Sequence, residues 1–197
     1  MFDFFNMNQV YWSQGHNGVF YLRAYKFQSK VYTNIETERL LIRPINVKDA
    51  NFIIDLVNSK GWLQFIGDRN VSTRRDAESY IQRTLDNQDF FYNVFELKKT
   101  RKAIGIITFL KREDEVYPDM GFALLPEFEK KGYALEASTA YFVKIKSIKK
   151  FDRIIAITMP ENIKSIGLLR KLGFQYMGDF RKRETLLSYY SFIIEKL

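Results

Sequence analysis

The stretch "PEFEKKGYALEAS" (126–138) sets two lysines and a glycine directly ahead of a helix-forming run. A helix start leaves several backbone N–H groups without an intrahelical acceptor, and the helix dipole makes that end positive, so an anion such as a phosphate is held well there. Gly132 lets the backbone come close to a ligand, and Lys130 and Lys131 put positive charge beside it. Just upstream, "GFALLP" (121–126) reads as a strand whose edge can pair with an extended, amide-bearing ligand.

Working outward, "RLLIRPI" reads as a strand ended by Pro44, followed by a helix over "NVKDANFIIDLVNSKG" with Asn46 as cap, Asp49 three residues on, and Gly61 as its stop. A second helix falls on "STRRDAESYIQRTLDN", where Thr73 and Asp76 have capping-box spacing and Ala77, Tyr80, Ile81, Thr84 and Leu85 recur at helical intervals. "FFYNVFELK", "AIGIITFLK" and "PDMGFALL" then form a three-strand antiparallel meander. The opening helix follows, with Ala134, Ala137, Tyr141 and Ile145 on one face. "RIIAITM" is a buried strand, and "ENIKSIGLLRKLG" a short helix ended by Gly173. Two strands near "FQYMGDFRKRE" and "YYSFIIEKL" close the chain. This order predicts an α+β fold with a mixed, mostly antiparallel sheet flanked by helices. Residues 1–31, aromatic and poor in charge, read as an extension of uncertain structure, and 32–197 as a single domain.

An apolar content of 46% supports a sizeable core, while no uncharged apolar run reaches the ~18 residues needed to cross a bilayer. The first residues do not read as a secretory leader, so the expected compartment is the cytoplasm. There is no cysteine, which excludes disulfides, zinc–thiolate centres and a cysteinyl intermediate. One histidine, His16, rules against a Ser-His-Asp triad or a two-histidine metal site. Chemistry therefore falls to carboxylates, hydroxyls, tyrosines or backbone. The net charge of +8 permits an anionic partner, although "KKTRK", "KSIKK" and "RKRE" are scattered like solvated turns and helix ends.

A strand edge and a phosphate-ready helix start suit a molecule with amides at one end and a pyrophosphate at the other, as in coenzyme A. From "ETERLLIRPI" through "DMGFALLPEFEKKGYALEA" to "ENIKSIGLLRKLGF", about residues 36–180, the chain resembles the GNAT N-acetyltransferase superfamily, in particular its RimJ/RimL-like branch. The family's phosphate pattern Q/R-x-x-G-x-G/A falls on Glu129 to Ala134, with Glu129 departing at the first position. The resemblance implies that Ala123, Leu124 and Leu125 present backbone to pantetheine, and that Lys130, Lys131, Gly132, Tyr133 and Ala134 hold the pyrophosphate. Asn162 would order the pantetheine arm and Ser165 would protonate the departing thiolate; on structural grounds alone, Asn162 or Glu161 is an ordinary helix cap and Ser165 a surface serine. Asp119 stands where relatives often carry Glu near the substrate amine and would act as general base, or else it is a solvated pair partner. Tyr133, Tyr176 and Trp62 read as packing residues. No metal is expected.

The function so implied is direct transfer of an acetyl group from acetyl-CoA to a primary amine: a protein N-terminus, such as that of a ribosomal protein, or a small molecule. Competing readings are a nucleic-acid-binding protein, which lacks a motif, and a CoA-binding sensor on the same fold without turnover. The protein is expected to act as a monomer or homodimer.

Overall fold

The computed structural model describes Tyr32 and residues 34–194. Their strands are β1 (Ile35–Glu36), β2 (Leu40–Pro44), β3 (Phe90–Leu97), β4 (Ala103–Leu110), β5 (Asp119–Leu124), β6 (Arg153–Thr158), β7 (Gln175–Lys182) and β8 (Thr185–Ile193). The helices are α1 (Ala50–Val57), α2 (Lys60–Phe65), α3 (Arg74–Asp86), α4 (Tyr133–Ser147) and α5 (Ile163–Lys171). One sheet runs in the order β1-β2-β3-β4-β5-β6-β8-β7. Every neighbouring pair is antiparallel except β5 and β6, which are parallel. The expected α+β fold and its meander are therefore present. The extension to Val31 and His16 lie outside the described residues.

Two apolar layers cover the sheet. On one face, Ala137, Tyr141, Phe142 and Ile145 of α4, with Ile166 and Leu169 of α5, pack against Phe95, Phe109 and Ile154. On the other, Ala50, Ile53, Leu56 and Val57 of α1, with Ala77 and Ile81 of α3, pack against Val94 and Ile106. Burial of each of the larger aliphatic and phenylalanine side chains contributes about 1.5–3 kcal/mol, so the helices are fixed by their apolar stripes more than by intrinsic propensity.

The two capping boxes form as spaced: Asn46 with Asp49, and Thr73 with Asp76. The first opens a 3-10 turn, Val47–Asp49, which runs into α1. Gly61 does not stop that helix. The Asn58 side chain donates to the Ile54 and Val71 carbonyls at 2.8 Å each, ending α1, and Ser59 caps a new helix, α2, in which Gly61 is an interior residue. Neither α2 nor the two-residue β1 was apparent from periodicity, because each is too short to show one.

Gly105 on β4 serves the approach of two neighbouring strands. A β-carbon there would lie 2.1 Å from the Phe95 ring and 2.6 Å from the Ala123 carbonyl oxygen. Gly105→Ala is expected to lower stability by about 1–3 kcal/mol, the usual cost of overpacking, and urea unfolding followed by circular dichroism measures it.

Candidate active site

The site begins where the sheet opens. β5 and β6 share one register pair, Asp119 with Ile155, and then separate, although β5 stays paired with β4 to its end. Backbone groups alternate in direction along an antiparallel strand. The Leu125 N–H donates to the Ile104 carbonyl at 2.9 Å, which turns Ala123 toward β4 as well and leaves the N–H and C=O of Phe122 and Leu124 facing the gap. Of the three residues expected to offer backbone, Leu124 has its N–H and C=O turned to the gap. Ala123 lines the gap but spends its backbone on β4, and Leu125 is buried in the core with its carbonyl accepting from Phe128. Phe122 was missed because the sequence does not give the parity of the strand.

At the far end of β5 the chain turns into α4. Gly132 is its N-cap, in the left-handed region at φ 81°. No hydrogen bond is donated by the N–H groups of Gly132, Tyr133, Ala134 or Leu135 among the described residues, as a helix start requires. Arg39 fixes this turn: its Nη1 donates to the Lys131 carbonyl at 3.0 Å and its Nε meets Glu136 at 2.6 Å. Against a burial penalty, hydrogen bonds from Thr37 and Arg39 hold the Glu136 carboxyl below the usual range, and its charge complements the positive helix end. The two lysines part company. Lys130 lines the groove, whereas Lys131 turns back to donate to the Glu127 carbonyl at 2.8 Å and lies over the Phe128 ring. Glu129 pairs with Lys164 of α5 across the groove.

α5 forms the opposite wall. Asn162 is its N-cap, the side-chain carbonyl accepting from Ser165 N–H at 3.1 Å, so the amide nitrogen of Asn162 is left to donate elsewhere. The Ser165 hydroxyl has no hydrogen-bond partner among the described residues, and both side chains line the gap.

The gap holds two spaces. A groove of about 570 Å³ runs along β5 between the starts of α4 and α5, and a cavity of about 510 Å³ lies toward α2, α3 and Asp119. Phe122, Ala123, Asn162 and Ser165 border both, with Trp62, Phe65 and Ile66 of the α2 region across from them. Trp62 is thus a core residue, as expected, and also a wall of the site. Tyr133 packs against Phe128 and under Arg39 while lining the groove; Tyr176 is half exposed against Tyr190.

Asp119 is not solvated. It is 3% exposed, at the point where the strands part, with Arg112 Nε 2.6 Å from its carboxylate. Burial pushes its carboxyl above the ordinary value, with Arg112 and the nearby Ile157 N–H opposing the shift. The arrangement places an anion-ready helix end and an open strand edge in one space, and a carboxylate of raised basicity in the next.

With this geometry in view, the comparisons agree. The chain matches the acetyltransferase (GNAT) domain over residues 39–175. It is 31% identical over 169 residues to the uncharacterized N-acetyltransferase YnaD of Bacillus subtilis, covering 83% of this chain and 98% of that one. A GNAT-family acetyltransferase from Bacillus anthracis shares the fold at a TM-score of 0.72 and 26% identity, over 83% of this chain and all of the other. RimL, a ribosomal L7/L12 α-N-protein acetyltransferase solved with coenzyme A, aligns at a TM-score of 0.73 and 16% identity, over 82% of this chain and 98% of its own. The protein belongs to the GNAT family and is an acetyltransferase.

A carboxyl whose folded pKa lies above its unfolded value leaves the native state holding more protons, so the stability tied to it is full at low pH and is lost as pH rises through the folded value. Asp119→Asn, which keeps the shape without the charge, is therefore expected to gain stability relative to wild type on going from about pH 4 to about pH 8. Thermal unfolding of both proteins across that range checks the sign.

Proposed function

We propose that the protein transfers an acetyl group from acetyl-CoA to a primary amine in a ternary complex, without an acyl-enzyme. One observation carries the reading: the parting of β5 and β6 joins an open strand edge and a free helix N-terminus to a buried carboxylate through a shared border at Asn162 and Ser165. The coenzyme A complex of the similarly folded RimL supports it. On this reading the backbone of Phe122 and Leu124 pairs with the pantetheine amides. The N–H groups of Gly132 to Leu135, with Lys130, take the pyrophosphate. Lys131 contributes only by shaping the turn. The cytoplasm suits such a cosubstrate, and among the described residues no helix is long and apolar enough to cross a membrane.

The chemistry follows from proton placement. An ammonium group has no lone pair, so a proton must leave before nitrogen can attack the thioester carbonyl. Asp119, raised by burial, takes it directly or through water. The C–N bond forms, the C–S bond breaks, and sulfur departs with the electron pair. The Ser165 hydroxyl, which borders both spaces, donates to that sulfur as charge develops. Asn162 holds the Ser165 backbone in place and turns its amide N–H₂ to the arm of the cosubstrate. The acceptor is a protein N-terminus, as in the ribosomal-protein enzymes of this fold, or a small amine.

Three variants test this. Gly132→Glu places a strained left-handed residue and a carboxylate at the anion site, so calorimetric binding of acetyl-CoA should vanish while the circular dichroism spectrum is retained. Ser165→Ala should lower turnover by about 100-fold or more with little change in acetyl-CoA affinity. Asp119→Asn should lose most turnover relative to wild type above the carboxyl's raised value, where wild type holds the ionised base, and least at low pH, where both lack it. Undiminished acetyl-CoA affinity in the first variant, or near wild-type turnover in the other two, would overturn the assignments.

A further inference from the structure

The cavity beyond the Asn162 and Ser165 border is more positive than acetyl transfer requires. Three arginines line it: Arg69 from the loop between α2 and α3, Arg83 on α3, and Arg112 from the loop after β4. Against them stands, among the described residues, one lining carboxylate, Asp119, already engaged by Arg112 Nε. Glu115 lies close enough to push Asp119 further up, yet it accepts from the Tyr189 hydroxyl and does not line the cavity. Arg69 and Arg83 make no ion pair among the described residues, as is also true of Arg75, Arg153, Arg170, Arg181 and Arg183, but of these only Arg69 and Arg83 line the cavity.

These guanidinium groups come from three separate segments. Arg69 lies 6.0 Å from the centre of the Trp62 ring, beside the wall shared with the groove. Arg69 and Arg112 both act on the buried Tyr92 hydroxyl, which lines the same cavity. Cations gathered around one concave space reinforce one another's field. The planar fork of arginine matches a carboxylate or phosphate in two parallel hydrogen bonds. A polyamine would meet only repulsion from them.

Resting on the acetyl-transfer reading, we propose that the acceptor is an amine bearing a carboxylate or phosphate close to the reacting nitrogen. Asp119 receives the ammonium end and Arg69 and Arg83 receive the anion. The bound molecule is thereby oriented along the cavity with its nitrogen toward Ser165 and the groove. The anion is supplied by acidic residues next to a peptide N-terminus or by the acid group of a small amine; the chemistry recognised is the same.

Probes matched in shape and differing in charge separate these sources. The amidated peptides Ala-Asp-Glu-Ala and Ala-Asn-Gln-Ala form one pair, and phosphoethanolamine and ethanolamine the other. Each is followed by thiol release from acetyl-CoA and by calorimetry on the CoA-loaded protein. The acidic member of at least one pair should be favoured by about tenfold or more, the scale of a single charge-assisted contact. The pair that shows it identifies the source. In the Arg69→Gln, Arg83→Gln double variant the preference should collapse through the acceptor KM, while acetyl-CoA affinity holds. Arg83→Glu, which faces the same space with opposite charge, should favour the neutral member.

Equal use or equal binding of both members in both pairs would overturn the proposal, as would a preference that survives the double variant. A weakened acetyl-CoA affinity in the double variant would also overturn it, by assigning the arginines to the cosubstrate. Charge-selective binding with no thiol release from any amine would instead leave the anion site standing and sink the acetyl-transfer reading.

Discussion

Everything at the site depends on two parallel strands that pair once and then diverge. Had β5 and β6 remained in register beyond Asp119 and Ile155, the backbone of Phe122 and Leu124 would be consumed in a ladder and neither groove nor cavity would exist. Two features keep them apart. β5 is bound along its other edge to β4, drawn close by Gly105, and β6 is bound to β8 over six register pairs. Each strand thus follows a different partner, and twist accumulates into separation. The unsatisfied edge would be a liability in a plain sheet; here it lies sheltered between two helix starts.

The apex of that separation also decides the behaviour of Asp119. A carboxylate at the end of the shared register is shielded from water on both sides by sheet, and only Arg112 with a backbone N–H offsets the cost of its charge. Above its raised value the ionised carboxylate costs stability while, on the proposed reading, it supplies chemistry. That opposition between stability and function is common where a protein maintains a perturbed group for use.

Much of this was legible beforehand, and most of the failures have a physical cause in common. Periodicity over ten or more residues located α3 and α4, and local cap chemistry located Thr73 with Asp76 and Asn46 with Asp49. The glycine at 132 was informative because a left-handed N-cap needs one. Most of what escaped was set by contacts distant in sequence. Asn58 ends α1 through the Val71 carbonyl, so Gly61 misled. The outward parity of Phe122 and Leu124 is fixed by Ile104 in the same way; the withdrawal of Lys131 is local instead, onto the Glu127 carbonyl four residues back, through a turn that composition does not reveal. Arg112 and Arg69 enter the site only through tertiary folding, from loops whose composition resembles any solvated turn.

Charge follows the same logic at the groove. Glu129 stands where the family's pattern has Gln or Arg, and a carboxylate beside an anion site should repel what the helix end attracts. The structure answers this from the opposite wall: Lys164 of α5 pairs with Glu129, so the two walls are joined by an exposed ion pair and the local charge is cancelled. Such a pair contributes only about 0–1 kcal/mol and is easily exchanged. On the proposed reading, an arriving phosphate draws Lys164 toward itself at small cost, and the lysine supplies the positive charge that position 129 does not. The basic segment "KKTRK" has no comparable role: Lys98, Arg101 and Lys102 are each engaged by a carboxylate, which leaves no continuous stripe there for a nucleic acid. On the proposed reading, the excess charge that matters is the small part of it that lines the cavity, at Arg69, Arg83 and Arg112, where cations around one concave space add their fields.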